Sequence, residues 1–153
     1  MTADAAELFR KSIIEQLEEQ RDAVRQLAEP LTEKQLWSKP VDPGNSIGHI
    51  VLHLTGNLNH FVGAQLGGSG YVRDREREFT EADPPAKAVL LADLDKAVAV
   101  FRRVVEKLDA AKLSAPHPEA RFGSVMKALM HLVGHFALHR GQMSYIVRLA
   151  NSG

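Results

Sequence analysis

The chain has 153 residues, its 19 Lys and Arg balance its 19 Asp and Glu, and it contains no cysteine. This length fits one domain, residues 1–153, that buries its own core without disulfides. The zero net charge argues against a protein that holds nucleic acid through a basic face. Without thiols, disulfides and thiolate metal sites are excluded, so any metal ligand must be a nitrogen or oxygen atom.

Residues 1–7 lack the basic and apolar segments of a signal peptide, and no apolar run reaches the roughly 18 residues that span a bilayer. We therefore expect a soluble, cytoplasmic protein with no membrane partner.

The first part of the sequence predicts a long helix and a short turn. Apolar side chains recur near a 3.6-residue period from about residue 5 to 29, where Pro30 interrupts the pattern. The run Thr32-Glu33-Lys34-Gln35 has the form of a capping box. We expect it to begin a short helical turn that ends near Trp37.

A second long helix is predicted after this turn, capped by Asn45 or Ser46 and ending at Gly67-Gly68. The segment that follows, up to Asp83, is rich in glycine and then in charge. Most runs of this kind are solvated loop, although long loops in compact domains also carry function.

Two further long helices are predicted in the second half of the chain. Asp83-Pro84-Pro85 supplies an N-cap with proline just inside the third helix, and Ser124 caps the fourth, which runs to Gly153. No alternating pattern indicates a strand. Four helices of about 20 to 30 residues predict an all-α protein, a four-helix bundle.

The strongest functional signal is the series His131, His135 and His139 in the fourth predicted helix. Four-residue steps drift by only about 40° on a helix, so the three histidines share one face. His135 and His139 point toward the apolar arc and His131 lies at its edge. A pair at this spacing can direct two imidazole nitrogens at one ion, as in zinc sites.

Two ligands do not make a tight site, so a third must come from another helix. The second predicted helix carries His49 and His53 at the same spacing, on the flank of its apolar arc, which predicts a site open to solvent. The residues alone leave the choice between them open. A single inward histidine is more often a hydrogen-bonded core residue, but two such pairs, with no buried Asp or Glu expected beside them, favour a metal. We expect His60 and His117 at the surface or the rim.

Other chemistries of helical proteins lack their motifs here. The histidines have no glutamate three residues ahead of them, as di-iron bundles require, and the chain has no zincin motif, phosphate loop or nucleophile elbow. Gly141 lies inside the fourth predicted helix, where glycine is unfavourable, and indicates close packing or backbone approach near His139.

Three segments together resemble the DinB-like superfamily of metal-binding four-helix bundles, which includes thiol-dependent transferases and the metal domain of mycothiol-dependent maleylpyruvate isomerase. They are LTEKQL (31–36), SIGHIVLHL (46–54) and HLVGHFALHRGQ (131–142). The resemblance implies a divalent metal held by His53, His135 and His139, a bundle with unusual helix order, and a dimer. A tryptophan is common where this chain has His49, so a role for His49 lies outside the pattern.

The resemblance does not define the reaction, because one fold supports many activities. Our first hypothesis is a metal-dependent enzyme that holds Zn²⁺, Ni²⁺ or another first-row ion with positions open for water or substrate. Without cysteine, thiol transfer would use an external low-molecular-weight thiol that attacks an electrophile. Hydrolysis by metal-bound water is the second chemical option. A stress-related or interaction bundle with a structural metal, and a small-ligand binder with an empty pocket, are the alternatives from other classes.

No catalytic residue is assigned by the sequence. For the homodimer, Phe101, Val104 and Val105 give the third predicted helix a broad apolar face that a second copy could cover.

Overall fold

The computed structural model describes residues 1–151. Its four long helices are α1 (Ala3–Ala28), α3 (Ile47–Leu58), α5 (Lys87–Val105) and α7 (Val125–Ala150), and its short helices are α2 (Glu33–Trp37), α4 (Arg77–Thr80) and α6 (Ala110–Ser114). A π-helical turn, Asn59–Ala64, continues α3, and a 3₁₀ turn, Ala120–Phe122, precedes α7. The predicted helix end at Gly153 lies outside the described residues.

The long helices form the predicted all-α four-helix bundle with an unusual order. Helix α1 packs against α5 and α7, and α3 packs against the same two helices, so α1 and α3 occupy diagonal positions although they follow each other in the chain. The connection that carries α2 therefore crosses the bundle. This order makes α3 and α7 neighbours, which is what brings their histidines together.

The apolar stripe of each long helix faces a common core. Phe101 and Phe136 are among the largest side chains with essentially no exposure. Val105 is also fully buried, and Val104 packs partly against the core. The apolar face of α5 that we expected to contact a second copy is therefore used within the monomer, and that part of the sequence interpretation is wrong.

Side-chain caps begin most of these helices where the sequence predicts. Thr32 and Gln35 form the capping box of α2, and the hydroxyls of Ser46 and Ser124 accept backbone hydrogen bonds at the starts of α3 and α7. A serine or threonine at this position satisfies an N–H group that the helix itself leaves unpaired. These predictions are confirmed.

The start of α5 differs from the prediction that Asp83 caps it. The N-cap position is Ala86, whose side chain makes no cap, and the Lys87 N–H instead donates to Glu33 Oε1 at 2.9 Å. Glu33 belongs to α2 and is 54 positions away in the chain. A local sequence pattern cannot reveal a cap that the tertiary fold supplies.

None of the helices in residues 1–151 is both long enough and apolar enough to cross a membrane.

Candidate metal centre

The adjacent helices α3 and α7 bring His53, His135 and His139 together at one point. The Nε2 atom of His135 lies 3.3 Å from Nε2 of His53 and 3.0 Å from Nε2 of His139. A potential ligand atom from each residue lies within 4.8 Å of the other two. His53 is buried, while the two histidines of α7 are only partly buried. The cluster therefore lies at the edge of the bundle core, between α3 and α7.

Asn57 shows which nitrogen of His53 carries the hydrogen. Its side-chain nitrogen lies 3.0 Å from the carbonyl oxygen of His53, a contact that only an N–H donor can make, and 3.1 Å from His53 Nε2. The amide therefore has its nitrogen on this side and donates its second hydrogen to Nε2. His53 Nε2 therefore carries its lone pair, which accepts the hydrogen bond from Asn57 in this structure, and Nδ1 holds the hydrogen.

The hydrogen on His53 Nδ1 points at a buried carboxylate. Glu78 Oε2 lies 2.9 Å from Nδ1, and Arg73 donates to both carboxylate oxygens, from Nε at 2.6 Å and from Nη2 at 2.7 Å. Glu78 is only 6% exposed. Burial acts to raise the pKa of Glu78, but the hydrogen bonds from Arg73 and His53 outweigh it and hold the pKa below its usual value. Glu78 is therefore ionised at neutral pH.

Gly56 makes this arrangement sterically feasible. A Cβ atom at Gly56 would lie 2.0 Å from Glu78 Oε1, so a larger residue on this face of α3 would displace the carboxylate. Because Glu78 is a buried acidic residue beside His53, our expectation that no buried acidic residue accompanies the histidines is wrong.

On α7, a local hydrogen bond sets the tautomer of His139, and burial keeps both histidines neutral. His139 Nδ1 lies 2.7 Å from Gln142 Oε1, which accepts its hydrogen and leaves Nε2 unprotonated. Burial is the main cause that lowers the pKa of His135 to about 3, with further lowering by His139 and His53. Burial also lowers the pKa of His139. Both imidazoles of α7 are therefore neutral at pH 7, the form that binds metals.

The donor set fits a divalent transition-metal ion. A tetrahedral zinc with N–Zn distances of about 2.0–2.1 Å separates its nitrogen ligands by roughly 3.3 Å. The two Nε2 separations of 3.0 and 3.3 Å are close to this value. Imidazole is a suitable ligand for Zn²⁺, Ni²⁺, Cu²⁺ and iron, so the three histidines indicate a transition-metal ion without selecting one of these metals.

His49 and His131 lie outside the cluster of three Nε2 atoms. His49 is buried beside Ser46, with 2.6 Å between the serine hydroxyl and Nδ1, and its ring meets Trp37 edge-on at 5.3 Å. These contacts are those of a packed core residue. His131 is exposed and lies parallel to the His135 ring with 6.2 Å between the centroids.

His117 is buried, which contradicts its expected place at the surface or rim. Its Nε2 donates to the Phe61 carbonyl at 3.1 Å, and its Nδ1 accepts from the Glu119 N–H at 3.0 Å. The histidine thus satisfies a carbonyl of the π-helical turn, which explains its burial. His60 is partly buried, as a rim residue would be. At Gly141, no described atom outside its own stretch of helix lies within 4 Å of the point that a Cβ atom would occupy, so the expected close approach is absent.

Sequence reasoning missed Arg73 and Glu78. Both lie in the charged segment between α3 and α5, whose composition is typical of solvated loop. The available signal was the length of this segment, since long loops in compact domains often serve a site.

Solved structures place this fold among the DinB-like four-helix bundles. YfiT from Bacillus subtilis, described as a probable metal-dependent hydrolase with an unusual four-helix bundle topology, has a TM-score of 0.74 and 19% identity, covering 94% of this chain and 89% of its own. A DinB-like protein from Bacillus cereus ATCC 10987 has a TM-score of 0.72 and 16% identity, covering 92% of each chain. At these identities the likeness concerns the fold.

The family is given by the sequence. The model of the mycothiol-S-transferase family matches residues 12–150, so the chain belongs to that family, within the DinB-like superfamily. No curated protein sequence matches the chain. The family and the three-histidine group together support a metal-dependent function.

Proposed function

We propose that His53, His135 and His139 hold a divalent ion, Zn²⁺ or Ni²⁺, and that the protein is an enzyme that transfers an external low-molecular-weight thiol to an electrophile. The observation that carries the proposal is the convergence of three Nε2 atoms at a partly open edge of the bundle. The family description supports a small thiol as the substrate.

A divalent ion at this point would lower the pKa of a thiol or a water molecule that it binds. Imidazole binds a metal as an uncharged ligand, so three histidines do not themselves neutralise the ion, and an anionic sulfur beside it is favoured. Because the chain has no cysteine, the sulfur must come from the substrate. In the transfer, the sulfur forms a C–S bond with the electrophilic carbon, the thiol proton passes to solvent, and the leaving group departs with its bonding electrons.

Hydrolysis is the second candidate. The same donor set can serve a metal-bound water, and the similarly folded YfiT is described as a probable metal-dependent hydrolase. In that case turnover requires no thiol.

Elemental analysis and an activity screen test these functions together. Protein isolated without a histidine tag or added metal is analysed for bound ions and then assayed with small thiols plus electrophiles, and with hydrolysable esters and amides. We expect one divalent ion per chain and thiol-dependent turnover that His139→Ala abolishes. His131→Ala makes the same change on the exposed face of α7 and should retain both. Bound metal without turnover on either substrate class would replace the enzyme with a bundle that has a structural metal.

We also propose a homodimer, formed through α7. Met130, Leu138 and Tyr145 are exposed on one face of this helix, with Gly134 and Gly141 between them. Large apolar residues next to glycine allow two copies of a helix to approach closely. Sedimentation at micromolar concentration should show a dimer that Leu138→Glu dissociates and that Leu8→Glu, at an exposed site on α1, leaves intact. A monomeric wild type would overturn this proposal.

A further inference from the structure

We infer that Glu78, held in place by Arg73, is a positioning residue of the metal centre. It fixes His53 in the tautomer whose Nε2 carries the lone pair, which a bound ion would take in place of the Asn57 hydrogen bond, and it places a full negative charge on the far side of the same imidazole. The inference rests on the metal site proposed above and assigns a role in it to the segment between α3 and α5.

The hydrogen-bond pattern around His53 supports this role from both sides of the ring. Asn57 donates to Nε2, so Nε2 is an acceptor, and Glu78 Oε2 lies 2.9 Å from Nδ1, where it can only accept. Arg73 Nη2 also lies near Nδ1, at 3.3 Å, but it already donates to Glu78 Oε2 at 2.7 Å. The shorter, charge-assisted contact with the carboxylate therefore determines the tautomer.

The location of the ion pair argues for a role at the metal rather than in stability alone. The side chains of Arg73 and Glu78 are only 9% and 7% exposed. Burying such a pair costs desolvation energy that its attraction barely offsets, so apolar residues of the same size would stabilise the fold as well or better. Beside a cation, the same carboxylate makes the imidazole a stronger donor and offsets the charge of the ion.

The surroundings of the bond strengthen the interaction. Phe79, the next residue of α4, has its ring 4.9 Å from the His53 ring, and Gly56 allows the carboxylate to lie against α3. Excluding water from a charge-assisted hydrogen bond lowers the local dielectric and increases its strength. The segment thus presents Glu78 to His53 in a dry, sterically defined position.

Zinc affinity tests the inference. Kd is measured by competition with a chromophoric chelator for the wild type, Glu78→Gln and Glu78→Leu, after circular dichroism has confirmed that each is folded. Loss of an outer partner of a ligating histidine typically weakens metal binding by about 10- to 100-fold. We expect about 10-fold for Gln, which keeps an acceptor but not the charge, and about 100-fold for Leu, which removes both. Glu76→Gln, which removes the same charge from an exposed position in the same segment, should leave Kd unchanged.

A second measurement needs no variant and therefore holds even if the Glu78 variants fail to fold. Nitrogen NMR of ¹⁵N-histidine-labelled, metal-free wild type should show His53 protonated on Nδ1 alone. An Nε2–H tautomer, or Kd values within about threefold of wild type in both Glu78 variants, or equal losses in Glu76→Gln, would each overturn the inference. If the wild type itself binds no divalent ion, the proposed function fails, and the tautomer still decides the structural part of the inference.

Discussion

Helix α7 and the segment from 67 to 83 contribute to the same site in different ways. In α7, the spacing of His135 and His139 along the chain sets their separation in space, because a helix has a fixed rise and turn. In the segment, Arg73 and Glu78 reach His53 only because the segment packs against α3. The comparison teaches that the proposed metal ligands come from periodic structure, whereas the residue that orients one of them comes from a part of the chain without periodicity.

The largest effect is expected for the α7 side of this comparison. A ligand that binds only the folded state at about 1,000 times its Kd stabilises it by roughly 4 kcal/mol. We expect zinc at that excess to raise the free energy of unfolding of the wild type by this amount and to have little effect on His135→Ala. His131→Ala is the matched control and should keep the gain. Urea unfolding with and without zinc measures it, and equal gains in all three proteins would show that the ion is held elsewhere.

The segment side of the comparison is tested by two glycine substitutions in helices. Gly56→Ala places a methyl group 2.0 Å from Glu78 Oε1 and should expel the carboxylate from beside Arg73 and His53. Breaking a buried ion pair costs about 3 kcal/mol or more, which outweighs the gain of about 1 kcal/mol from alanine in a helix.

Gly134→Ala is the control, measured at a concentration at which the chain is monomeric, since no described atom outside its own stretch of helix lies within 4 Å of its added Cβ and only the gain should remain. Denaturant midpoints compare the two variants. Equal stabilisation by both would mean that Glu78 is not confined by α3.

The same contrast between α7 and the segment explains how much of the fold and of the site could be predicted from the sequence. Periodicity and capping residues predicted the four long helices, the caps Thr32, Ser46 and Ser124, and the shared face of His135 and His139, because each depends on residues within about one or two helical turns. The tertiary partners could not be predicted in this way. Glu33 at the start of α5, and Glu78 beside His53, are separated by 54 and 25 positions from the groups they contact.

Burial of individual histidines was predicted less well than their spacing. His117 follows a proline and precedes another, a local sequence that favours an exposed loop, yet it is buried because it satisfies the Phe61 carbonyl. The homodimer face on α5 was misplaced for a related reason. An apolar arc read from sequence does not distinguish a face that packs within the bundle from one that contacts a second copy.

Acid should lower the free energy of unfolding of the metal-free protein, in part through His135 of α7. Burial lowers the pKa of His135 to about 3, whereas an unfolded histidine titrates near its ordinary pKa of 6.5. Below pH 6.5 the unfolded chain takes up protons that the folded chain does not, so the free energy of unfolding decreases as the pH falls from 6.5 toward 3. After allowance for partial exposure, we expect His135 to account for a loss of at most about 2 kcal/mol between about pH 7 and pH 5.

Urea midpoints of the metal-free protein at about pH 7, 6 and 5 measure this loss. His135→Gln should reduce the dependence but not remove it, because burial also lowers the pKa of His49, His117 and His139. Gly134→Ala, which changes no titratable group, should preserve it. A wild type whose stability does not change over this range would contradict the assignment of a neutral, partly buried His135.

The smallest effect links the two regions directly. If Glu78 accepts from His53 Nδ1, a metal at Nε2 makes that hydrogen more acidic and strengthens the bond, and by reciprocity the bond favours the metal. Hydrogen exchange of the Phe79 and Thr80 amides, which donate to the Glu76 carbonyl at 3.1 and 3.2 Å, reports the order of α4. We expect zinc to slow their exchange by about three- to tenfold, a coupling of roughly 1 kcal/mol.

Glu78→Gln should abolish most of this change, while amides in the middle of α5 serve as the internal control. Equal protection of α4 with and without zinc would mean that the segment and the metal centre are independent, and that the contact between Glu78 and His53 transmits nothing from one to the other.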